Sequence, residues 1–168
     1  AKLLGLGYPG GPLIEKIAKK GKTNAFDLPH PMQFKKSLNF SFSGIKTAVS
    51  LLTKKHTHIT KKIKNDIAAS FQNKIIEIIN KRITLALEIL KKKGYDIKDI
   101  TIVGGVAANK RMIQAFLNLS KNYNCRLTTP LIKLCGDNAA MIAWTCYQHQ
   151  KIGIKPDLYF KVNPRLKL

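Results

Sequence analysis

Cysteine is sparse in this chain, and its spacing is unproductive. Cys125, Cys135 and Cys146 are odd in number and form no CxxC pair. That argues against a disulfide framework and a zinc knuckle, and leaves three half-buried, small apolar residues in a reducing, cytosolic setting. No run is long and apolar enough to span a bilayer, and no signal peptide opens the sequence, so no membrane role is expected and a cytoplasmic location follows. Acidic residues are scarce as well. Against 30 Lys+Arg stand 9 Asp+Glu, a formal net charge of +21 at pH 7. That field attracts polyanions, with tRNA or another RNA the natural candidate. Arginine, however, occurs only at positions 82, 111, 126 and 165. Lysine-borne charge beside abundant isoleucine and asparagine also fits an AT-rich composition that places lysine on solvated faces. Both origins of the charge stay open.

The 168 residues suffice for one domain or one ample lobe, and 45% hydrophobic residues is ordinary for a globular core. The first residues, Ala1 to Gly5, read as the last turn of a helix closed by a glycine, without initiator methionine or N-cap. A piece of something longer is the expectation. Pro12 opens a helix reaching Gly21. Asp27 to Lys36 reads as an extended loop. Leu38-Asn-Phe-Ser-Phe42 alternates with period two and predicts a short strand. A helix follows from Ile45 to Lys54, then an exposed lysine-rich connection to Lys64. Apolar residues from Ile63 to Leu90 recur every three or four positions. They predict a long amphipathic helix over about Thr60–Lys92, single or two in line, with a lysine-rich outer face.

Beyond Gly94 the pattern changes to strand–helix–strand–helix–strand. The predicted strands are Ile100–Val103, Arg126–Thr129 and Leu158–Val162. The helices run from Asn109 to about Asn122 and from Ala139 to about His149, with Ala140, Ala143 and Trp144 on one face of the second. Such alternation predicts an open α/β sheet with ligand at the strand ends.

Three loops place glycine or small polar residues where a strand or turn meets a helix: Tyr8-Pro-Gly-Gly-Pro12 with Glu15, Gly104-Gly-Val-Ala-Ala-Asn109, and Cys135-Gly-Asp-Asn-Ala-Ala140. Glycines at 104 and 105 let a ligand approach the backbone, and the following helix start suits phosphate or nucleotide. An αβ turn without ligand has the same look. Glu15 could accept hydrogen bonds from a ribose diol or serve as a helix-dipole partner. Asp137 reads either as an N-cap or as a hard metal ligand that needs companions. No histidine pair spaced i, i+4 supplies them. No Gly-x-Ser-x-Gly elbow, Ser-His-Asp arrangement or HExxH helix is present. No residue of the chain is identified as catalytic.

These three loops, together with Leu38-Asn-Phe-Ser-Phe-Ser-Gly44 and the extension of the third to Met-Ile-Ala143, occur in an order that resembles the C-terminal half of the bacterial tRNA threonylcarbamoyladenosine transferase family, TsaD, formerly called the glycoprotease or Gcp family. The resemblance covers the whole chain. It implies the ASKHA fold, an actin-like ATPase and ribonuclease H-like α/β architecture. Residues 1–168 would form a single partial domain, the second lobe, with a helical insertion at about 43–93. It further implies transfer of threonylcarbamoyl from threonylcarbamoyl-AMP to the adenosine 3′ of the anticodon. By position, Gly11 and Glu15 would hold the nucleotide or its ribose, Gly104, Gly105 and Asn109 would line the same ligand, and Asp137 would bind a divalent metal, iron or zinc. The implied partners are tRNA, the N-terminal lobe and other proteins of the threonylcarbamoyladenosine pathway. The chain departs from the family pattern at Gly7, where some relatives carry Asp, and at Gly136, where Thr is frequent. The family's His-x-x-x-His metal motif belongs to the N-terminal half and is absent here, so the chain alone is expected to be inactive. The competing readings are a non-catalytic binding module for protein or RNA and, below it, a metallopeptidase.

Overall fold

A single long helix organises the chain. The computed structural model describes residues 1–155 and 159. It is mixed α/β, mostly helical, in two compact units, 1–135 and 136–168. The first contains α1 (Gly10–Ala18), α2 (Ser43–Lys55), α3 (Lys61–Lys92), β1 (Asp99–Thr101), α4 (Lys110–Asn122) and β2 (Arg126–Thr128), and the second contains α5 (Ala139–Lys151).

α3 is one unbroken element of 32 residues, about 48 Å at 1.5 Å per residue. Thr60 caps it, its hydroxyl accepting from the Ile63 N–H at 3.3 Å. The apolar stripe has two customers. On one side Ile67, Ala68, Ala69 and Ile78 join Leu4, Ala18, Leu28, Ile45 and Val49 in a cluster with α1 and α2. On another, Ile76 packs with Met112, Phe116 and Leu119 of α4, over Ile102 just past β1 and Leu127 of β2. The simple amphipathic expectation is therefore corrected. Residues 65–70 are buried all round, including Asn65, Asp66 and Ser70. Gly21, in the loop after α1, lets its backbone approach this stretch closely. A Cβ added to Gly21 would lie 2.0 Å from the Asn65 carbonyl oxygen. The adjoining loop is stitched down by side chains of α3. Asp66 Oδ1 accepts from the Lys22 N–H at 2.8 Å, and Ser70 Oγ accepts from the Phe26 N–H at 3.1 Å.

Leu38–Phe42 forms no strand. It has no regular secondary structure and no sheet partner among the described residues. The alternation instead brings Phe40 and Phe42 into a stack, centroids 6.1 Å apart. The approach to it is fixed by the buried Arg82, whose guanidinium donates to the carbonyls of Met32, Lys35 (2.8 Å) and Ser37 (2.6 Å). Carbonyl satisfaction replaces a carboxylate partner for this cation.

β1, α4 and β2 form a parallel β–α–β unit with Asp99 opposite Arg126, Ile100 opposite Leu127 and Thr101 opposite Thr128. Arg126 Nε meets Asp99 Oδ1 at 2.6 Å. The two strands are each shorter than the sequence predicts, and the predicted strand Leu158–Val162 lies outside the described residues but for Tyr159. In the second unit, α5 buries none of its residues, and Met141, Ile142 and Trp144 are exposed. Its expected apolar face is thus present but uncovered among the described residues. The cysteines differ from one another: Cys135 is buried, Cys125 intermediate and Cys146 exposed, so the half-buried expectation fails for the last.

Candidate functional site

The turn after β1 does not run straight into α4. Gly104 adopts φ 85°, a left-handed conformation that favours glycine, and a 3-10 turn, Gly105–Ala108, follows. Only then does Asn109 cap α4, its Oδ1 accepting from the Met112 N–H at 2.9 Å. The Asn109 Nδ2 donates to Gln72 Oε1 on α3, also at 2.9 Å, so cap and beam are fixed to each other. Gln72 is buried, and nothing in its local sequence singles it out; only the tertiary contact gives it a role.

Glu15 reaches the same helix start from 95 residues away. Its Oε1 accepts from the Lys110 N–H at 3.1 Å. The helix-dipole reading of Glu15 is realised, but toward α4 rather than within α1. This leaves Oε2 without a hydrogen-bond partner among the described residues. The Lys110 and Met112 donors at that terminus are already taken by Glu15 and Asn109.

Gly11 precedes Glu15 by four residues and shares its face of α1. Its neighbour Gly10 is there for packing, since a Cβ on it would lie 2.6 Å from that of Ala1. Beside Gly11, Gly104 and Gly105, by contrast, an added Cβ would meet nothing within 4 Å. Thus Gly11, Glu15, Gly104, Gly105 and Asn109 belong to one unit, with the Glu15 to Lys110 bond joining their two segments. The start of α4 is thus held by the Glu15 carboxylate and by the Asn109 to Gln72 amide pair.

Asp137 belongs to the second unit and is exposed. It does not cap α5. Asn138 does, accepting from the Met141 N–H at 3.1 Å while its Nδ2 donates to the Gly136 carbonyl at 2.9 Å. The N-cap reading of Asp137 is therefore corrected by one residue.

Comparison with known proteins bears directly on this arrangement. Residues 1–144 match the model of the TsaD family, described as tRNA N6-adenosine threonylcarbamoyltransferase. The chain belongs to this family. A protein of that name from Thermosipho africanus (strain TCF52B) is 44% identical over 168 residues, covering 100% of this chain and 49% of the relative. One from Pelagibacter ubique (strain HTCC1062) is 44% identical over 169 residues, with 100% and 47% covered. One from Thermotoga neapolitana is 40% identical over 169 residues, with 100% and 49% covered. The chain spans about half the length of the curated relatives it matches, their C-terminal half.

The threonylcarbamoyltransferase resemblance implied a metal at Asp137, and the donor set can be tested. Among the described residues, no three His, Cys, Asp or Glu side chains gather where they could hold a metal ion. The residues described here do not fit a metal by themselves, and no chemical step is drawn through one. No helix among the described residues is long and apolar enough to cross a membrane.

Proposed function

We propose that this chain forms one wall of the nucleotide cleft of a tRNA N6-adenosine threonylcarbamoyltransferase of the two-lobed ASKHA type, with residues 1–168 in the second lobe and a helical segment at about 43–93. In the reaction, the exocyclic amine of the adenosine 3′ of the anticodon attacks the carbamoyl carbonyl of threonylcarbamoyl-AMP. A C–N bond forms, the C–O bond to the phosphate breaks, AMP leaves with the electron pair, and the amine gives up a proton. This chain's part is binding. The observation that carries the reading is the Glu15 to Lys110 hydrogen bond, which joins the Gly11–Glu15 face to the Gly104–Asn109 turn. Glu15 Oε2 accepts a ribose hydroxyl, while Gly11, Gly104 and Gly105 let the adenylate lie against backbone. Asp137 would be the contribution of the described residues to a divalent metal, iron or zinc, with its other ligands from elsewhere. The partners are tRNA, the other lobe and further proteins of the threonylcarbamoyladenosine pathway, in the cytoplasm.

Two measurements test this. Supplied with threonylcarbamoyl-AMP and tRNA, the isolated chain forms no modified adenosine; turnover would overturn the claim that it is only part of the site. Gly105→Val, placed where a side chain meets no protein atom, lowers adenine nucleotide affinity at least tenfold without lowering the Tm. Unchanged affinity would remove the glycine wall from the reading.

A further inference from the structure

Four lysines of the first unit line one pocket without a carboxylate partner among the described residues. Lys16 lies in the last turn of α1, Lys20 just past its end, and Lys61 and Lys64 in the first turn of α3. With Leu6 and Ile17 they line one pocket of about 290 Å³. None of the four forms an ion pair among the described residues, whereas their neighbour Lys62 turns to Asp66 at 3.4 Å. The first turn of α3 holds no acidic residue. A helix N-terminus carries positive partial charge, so it is an unfavourable place for lysine unless an anion neutralises the group. A composition bias spreads lysine over solvated faces; it does not gather four lysines along the wall of one concavity beside two apolar side chains. Lysine ammonium groups bind phosphate as point charges, and a nucleic-acid backbone offers phosphates in series with apolar sugar faces between them.

We infer that this pocket anchors the phosphate backbone of an RNA. Naming that RNA as the tRNA acceptor rests on the proposed function; the phosphate chemistry does not. The site is separate from the glycine wall, with which it shares no residue.

The test compares two quadruple variants of the full chain with equal charge change. One is K16Q/K20Q/K61Q/K64Q. The other is K91Q/K92Q/K93Q/K121Q, which takes Lys91 and Lys92 from the far end of α3 and exposed lysines beside it and on α4. tRNA binding is titrated over salt concentration. The pocket variant lowers the slope of log K against log salt by about 3, at ~0.7–0.9 per phosphate contact. Its affinity at low salt falls at least tenfold beyond that of the control. Lys→Arg at the same four positions retains binding. Equal losses in the two variants would overturn the site in favour of a diffuse field. The far-ultraviolet helical signal checks folding, and the pairs K16Q/K20Q and K61Q/K64Q give half the effect each should the quadruple variant unfold. Inorganic polyphosphate forms the second arm. Polyphosphate held through the pocket without tRNA binding would overturn the RNA assignment. tRNA binding indifferent to the pocket would overturn the pocket while sparing the tRNA reading.

Discussion

Gly21 and Asp66 show how much rests on single side chains, or on the lack of one. At Gly21 the loop leaving α1 passes so near α3 that a methyl group would overlap the Asn65 carbonyl. Neither backbone can yield without disturbing a helix. Gly21→Ala is therefore expected to cost at or above ~3 kcal/mol, the upper end of overpacking, in a urea unfolding experiment. Asp66 holds the same loop through the Lys22 N–H, and that hydrogen bond is the first cause of its lowered pKa, with Lys62 adding to it. A carboxyl whose pKa is lowered in the folded state stabilises above its unfolded value of about 3.9. This contribution is lost as the pH falls through the folded value. Acid unfolding followed by circular dichroism should show that loss below about pH 4, and Asp66→Asn should remove that part of the pH dependence. Neither role was legible in the sequence. Gly21 reads as a helix stop, and an aspartate near a helix start reads as solvated, because the partner of each lies more than 40 residues away.

Among the elements, those whose signals are local were the legible ones. Thr60 and Asn109 cap α3 and α4 at the positions the sequence indicates, since a cap needs only its own first turn. Asn109→Ala is expected to cost about 1–2 kcal/mol in chemical denaturation, combining the lost cap with an orphaned Gln72 amide oxygen. Asn109→Asp should recover the cap portion alone. The failure at Leu38–Phe42 has the opposite cause. A strand exists only with a partner, and alternation cannot report whether one is present; here Arg82 pins the preceding carbonyls and the two phenyl rings face each other instead. At α5 the capping residue shifted by one because Asp and Asn are equally good caps and adjacent. At the glycines 11, 104 and 105 an added side chain would meet nothing within 4 Å; the joining of their segments through Glu15 to α4 was not legible, for it depends on the docking of α1.

At the scale of the whole molecule, the family and the α/β character were recognisable from four short segments in order, while the distribution of charge over the surface was not. Net charge says nothing about whether lysines are scattered or gathered, and only the meeting of α1 with the start of α3 separates those cases. The uncovered apolar residues of α5 belong to this scale too, since a helix patterned for burial needs a neighbour that local sequence cannot supply. Finally, α3 ties the first unit into one thermodynamic body. Ile75 packs against both hydrophobic clusters, one shared with α1 and α2 and the other with α4. Neither cluster can loosen without withdrawing support from the other. The amide protons midway along α3 are thus shielded by two cores at once, and their exchange with solvent waits for the cooperative opening of both.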